Sequence, residues 1–134
     1  MKWRAIIILN EQHKLLAQQE ELLNDTFGQN WSTLLVPATG WTREEMFDQF
    51  VALVKSSEQI PLNDEREELW LKVVFASPVP YLLHCLSKHQ GATTENGFAN
   101  LEVMLFHNDQ REKKELPNGK VIYTVAQEGW HLVE

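Results

Sequence analysis

Apolar residues recur along the chain at two spacings, and the switches between them mark out its elements. Residues 3–9 (WRAIIIL) form an unbroken β-branched run, the pattern of a strand buried on both faces. Asn10 follows, a residue able to cap the next element through its side-chain oxygen. Over 12–24, Leu15, Leu16, Gln19, Leu22 and Leu23 fall on one stripe at the helical period, closed by Asn24, Asp25 and Gly28. Residues 32–36 (STLLV) read as a second strand, and 37–41 as a loop. Thr42 and Glu45 have the capping-box spacing, and the helix they open carries Met46, Phe47, Phe50, Val51 and Val54 on one face.

The second half repeats the alternation. Residues 56–68 are polar and acidic, a surface connection with a helical turn before Trp70. Residues 71–76 (LKVVFA) predict a third strand. Ser77-Pro78 is a helix-start signal, with Ser as cap and Pro at the first helical position. Tyr81, Leu82, Leu83, Cys85 and Leu86 give that helix a broad apolar face, and His89-Gln90-Gly91 ends it. Residues 91–100 read as loop and 101–106 (LEVMLF) as a fourth strand. After a charged stretch over 109–115, Pro117-Asn118-Gly119 signals a hairpin turn, with short strands over 120–125 and 130–133. The order β-α-β-α-β-α-β followed by a β-hairpin tail predicts one α/β domain over 1–134. It is Rossmann-like, with a mostly parallel sheet and helices on both faces.

Composition narrows the function classes. The 134 residues hold 12 Lys and Arg against 19 Asp and Glu, a net charge of −7. That surplus argues against binding long nucleic acid, which needs cations to displace counterions. One Cys excludes an internal disulfide and any multi-Cys zinc site. The longest apolar run is too short to span a bilayer, and the start of the chain lacks a signal cleavage site, so a cytoplasmic protein without membrane contact is expected. Dinucleotide, phosphate-loop and nucleophile-elbow motifs are absent. The histidines at 13, 84, 89, 107 and 131 lack metal-ligand spacing, so neither metal nor cofactor is expected. Cys85 reads as a small core residue.

In wound parallel sheets, ligands bind beyond the carboxyl ends of the strands. Four segments should gather there: 10–13, 37–42, 77–80 and 107–111. Each candidate has a structural reading beside the functional one. Asn10, Thr42 and Ser77 are helix caps or ligand contacts. His13 is an exposed first-turn residue, or an acid, base or phosphate donor, since imidazole changes charge near neutral pH. Arg111, with Lys113, Lys114 and Lys120, is a solvated hairpin or a phosphate clamp. Trp130-His131 offers a stacking face and a donor, or closes the sheet edge.

Three segments carry a family resemblance: 6–10 (IIILN), 73–78 (VVFASP) with its following helix, and the tail from Arg111 through 115–121 (ELPNGKV) to 129–133 (GWHLV). In these the chain resembles the small stand-alone CRISPR-associated Rossmann-fold (CARF-type) proteins of type III CRISPR systems, which bind cyclic oligoadenylate and include ring nucleases. The resemblance implies a homodimer with a two-fold pocket over the strand ends. It also implies a cyclic RNA substrate cut by ribose 2′-hydroxyl attack without metal. Asn10, Ser77 and Arg111 would orient the ligand, assisted by Thr42 and Lys120. Ser77, His13 and His131 would carry the chemistry, the two histidines moving protons. The same features also suit a sensor or sponge that binds without cutting. The five Trp and the acidic 58–68 segment suit a protein-interaction subunit.

Overall fold

The computed structural model describes residues 4–58, 71–90, 93–94, 97–98 and 101–134. Most of the acidic connection, together with Trp3 and Trp70, therefore lies outside the described residues. Among the described residues no helix is long and apolar enough to cross a membrane.

β1 (Arg4–Asn10) and β3 (Leu71–Phe75) lie at the centre of a five-stranded sheet. β1 pairs in parallel with β2 (Trp31–Val36) on one side and with β3 on the other. β3 pairs in parallel with β6 (Leu101–Asn108). β9 (Trp130–Val133) closes the sheet antiparallel to β6, giving the order β2-β1-β3-β6-β9. The Rossmann-like α/β class read from the alternation is the observed one.

Why the central strands are unbroken apolar runs follows from the two faces they cover. Ile8, Val73, Phe75 and Val103 meet Leu53 of α2 (Arg43–Glu58) and Leu82 and Leu86 of α3 (Pro80–Lys88). Ala5, Ile7, Val74 and Met104 meet Leu23 and Phe27 of α1 (Ala17–Phe27) on the other face. Lys72 is the exception, a buried cation ion-paired with Glu102 directly across the β3–β6 ladder.

Several boundaries differ from the sequence expectation. α1 starts at Ala17 rather than near 12, because Asn10 does not cap it: Asn10 Oδ1 accepts the Gln12 amide at 2.9 Å in a local turn. The Gln19 side chain instead accepts the Leu16 N–H at 2.9 Å. The helix runs on to Phe27, which is fully buried, and stops at Gly28 with φ 62°. On α2, Phe47, expected on the apolar face, is exposed, and Leu53, not among the residues assigned to that face, is buried. α3 begins at Pro80 with Val79 as its cap residue, so Ser77 is not its N-cap. Within 91–100, expected as loop, β4 (Thr93–Thr94) and β5 (Gly97–Phe98) make a two-residue antiparallel pair.

The tail is rearranged as well. The charged stretch is a strand, β7 (Arg111–Glu115), paired antiparallel with β8 (Val121–Val125). These two form a separate sheet, while β9 returns to the main one. Pro117-Asn118-Gly119 makes the turn between them, with Gly119 at φ 82°. Leu116 accepts the Gly119 N–H at 2.9 Å and donates to the Lys120 carbonyl at 2.7 Å.

Candidate functional site at the sheet switch point

From β1 the chain passes to β2 on one side, then crosses to β3 on the other. The carboxyl ends of β1 and β3 thus flank the point where the winding reverses, the place where such sheets open a crevice. Backbone bonds fix both ends. The amides of Ala76 and Ser77 donate to the Ile8 carbonyl at 2.9 and 3.0 Å, drawing the chain after β3 against β1. The Glu11 amide donates to the Val36 carbonyl at 2.8 Å, and Glu11 Oε1 accepts the Ala38 amide at 2.8 Å, tying the turn after β1 to the end of β2.

Three predicted residues converge there. Ser77 is only 4% exposed. Its Oγ accepts the backbone N–H of Asn10 at 2.8 Å and lies 2.9 Å from His13 Nδ1. Because that oxygen already accepts one N–H, its own proton is available to His13 Nδ1. In that arrangement the ring proton sits on Nε2, the imidazole atom left without a protein partner among the described residues. The ring is therefore held by one nitrogen and offers the other. The contact joins residues 64 positions apart, so no local motif signals it.

Two cavities of about 300 Å³ each open at this rim. One is lined by Pro78, Val79, Pro80, Leu83, Leu105 and Phe106 among others, the second by Leu9, His13, Lys14, Leu16 and Gln19. Ala76 and Trp130 line both. Trp130 is held firmly for an indole at a rim. Its amide donates to Gln18 Oε1 at 2.8 Å and its Nε1 to the Ala126 carbonyl at 2.9 Å, and its ring meets Phe106 edge to face at 6.2 Å. The apolar cavity and the placement of Trp130 between the two were not read from the sequence. The available signal was the aromatic residue opening the last strand.

The other predicted residues make no hydrogen bond to this cluster among the described residues. Thr42 Oγ1 accepts the Glu45 amide at 3.1 Å, which is the capping role its spacing indicated. Arg111 and Lys120 are exposed on the β7–β8 hairpin, with no hydrogen bond to Asn10, His13 or Ser77. His131 faces His107 across the β6–β9 ladder. Asp109 bridges them, with His107 Nε2 3.1 Å from Oδ1 and His131 Nε2 2.5 Å from Oδ2. Asp109 was missed because its partner histidines belong to different strands. Among the described residues no three His, Cys, Asp or Glu side chains are arranged to hold a metal ion.

The fold and this cluster define an α/β protein with a polar rim at its switch point. Comparison of the chain with protein-family models, curated proteins and solved structures yields no match.

Proposed function

We propose that the chain binds a cyclic oligoadenylate at the switch-point rim, as a homodimer, and that His13 is its proton-transfer residue. The observation that carries this reading is the Asn10–Ser77–His13 cluster, set beside two adjoining cavities. The two spaces differ in character. One is walled by prolines, aliphatic side chains and aromatic rings, which suits a nucleobase face. The other presents His13, Lys14 and Gln19, donors suited to ribose and phosphate oxygens. A ring of ribonucleotides carries its own nucleophile, the 2′-hydroxyl. Cleavage then needs that hydroxyl held in line with phosphorus and a proton moved, and a singly anchored imidazole suits that task. Ser77 positions His13 rather than attacking, since its buried hydroxyl is occupied by two partners.

Binding without cleavage is the second reading, favoured by the presence of one such imidazole in the two cavities rather than an acid–base pair. Incubation with cyclic tetra-adenylate in excess chelator separates the two. Linear products that vanish in His13→Ala mean cleavage. An intact ring retained by both proteins means a sensor or sponge. Absence of binding by calorimetry overturns the proposal.

A further inference from the structure

We propose that the free edge of β7 pairs with the same edge of a second copy, joining two hairpins into one four-stranded sheet. This rests on the homodimer part of the preceding reading and names the surface that makes it. β7 is bonded to β8 on one side and to no strand on the other among the described residues. All five of its residues are exposed. A lone two-stranded ribbon is marginally stable in water, and an open edge is a template for another strand.

The hairpin geometry sets which backbone groups are open. Leu116 donates to the Lys120 carbonyl, so 116 and 120 face each other as a hydrogen-bonded pair. Such pairs alternate along an antiparallel ladder. Glu112 and Lys114 therefore turn their N–H and C=O groups toward Thr124 and Ile122 of β8. Arg111, Lys113 and Glu115 turn theirs outward.

The charges then select a second copy as the occupant. β7 reads Arg111-Glu112-Lys113-Lys114-Glu115. Placing two such strands antiparallel with Lys113 on the two-fold axis sets Arg111 opposite Glu115 of the second copy, and Glu112 opposite its Lys114. Symmetry doubles each match, giving four attractive contacts against a single Lys113–Lys113 repulsion. The same register brings all three outward-facing residues of each strand into hydrogen-bonded positions. Moving the axis to residue 112 sets Arg111 against Lys113, and moving it to 114 strands Arg111 beyond the partner strand. The strand is also locally cationic in a chain of net charge −7, so the approach of two acidic molecules is least opposed there.

Sedimentation equilibrium of the full 15.6 kDa chain tests this, with folding checked by circular dichroism. The wild type should dimerise. Lys114→Glu and Glu112→Lys should each weaken the dimer roughly tenfold, because each turns two attractions into repulsions. The double swap restores the match and should return the affinity to near wild type. Lys114→Glu is the cleaner single change, since Glu112 Oε1 also accepts the Gln127 amide at 3.2 Å. Should either variant misfold, amide exchange on the wild type decides. The N–H groups of Arg111, Lys113 and Glu115 should gain protection as protein concentration rises through the dimer transition. A dimer unaffected by the single swaps, or formed without that protection, overturns this surface and leaves the homodimer standing. A monomer at every concentration overturns both. Neither result bears on the rim.

Discussion

β3 and β7 are strands of five residues each, and every residue of β3 is buried while every residue of β7 is exposed. β3 is held by its neighbours: β1 and β6 bond both its edges, and helices cover both its faces. β7 is held by its turn. A Gly at positive φ and a hydrogen-bonded loop set the register with β8, and among the described residues none of β7 belongs to a buried apolar cluster. The first kind of strand is specified by what it buries, the second by where its hairpin turns. The two regions should therefore fail in different ways. A large-to-small change beside β3 should destabilise the whole domain, whereas changes in the hairpin should stay local.

The sharpest break is at Phe27, fully buried at the end of α1 against Ile7 and Val74. Phe27→Ala should lower the unfolding free energy by about 3–5 kcal/mol, read from urea denaturation. Next is Ser77→Ala, which leaves the backbone N–H of Asn10 without its acceptor at the switch point. That should cost about 1–3 kcal/mol. It should also free the His13 ring, detectable as altered imidazole chemical shifts, which a purely structural serine would leave unchanged.

The same contrast explains what could be read from the sequence. β1, β3 and β6 are legible because burial on both faces demands mostly apolar runs, broken here by the paired Lys72 and Glu102 at the start of β3 and β6, and that demand is visible in one dimension. The strand ends were placed at one rim by the same logic, and Asn10, His13 and Ser77 do meet there. The roles were harder. Ser77-Pro78 has the composition of a helix start, yet Pro80 supplies the first helical turn and the serine is drawn to β1. β7 carries no apolar alternation, so five charged residues read as a solvated hairpin or a phosphate clamp, and the strand shows only once the partner across the Asn118-Gly119 turn is known. β9 lies at the expected 130–133, and only its partner is not evident from the sequence. Its four residues suit a hairpin as well as an edge strand, and its true partner is β6, more than twenty positions earlier.

Within the hairpin, the turn matters more than the strand. Gly119 sits at φ 82°, where a side chain strains against its own backbone. Gly119→Ala should cost about 1–2 kcal/mol. That loss should appear as faster amide exchange in β7 and β8, while β1 and β3 exchange as before.

The smallest effect is expected at Tyr123, the most exposed large apolar side chain in the described structure, at 68%. Tyr123→Thr keeps a residue at home in strands and removes a ring that is mostly exposed in the monomer. The unfolding free energy read from urea denaturation should change by less than about 0.5 kcal/mol. In the self-paired arrangement Tyr123 lies beside Lys113, one strand away from the two-fold axis. Its removal should therefore leave dimerisation within about threefold of wild type, well short of the Lys114→Glu effect. A loss as large as that at Phe27 would mean that β8 lies over a core of its own, and the hairpin would then belong with β3 as a strand specified by burial.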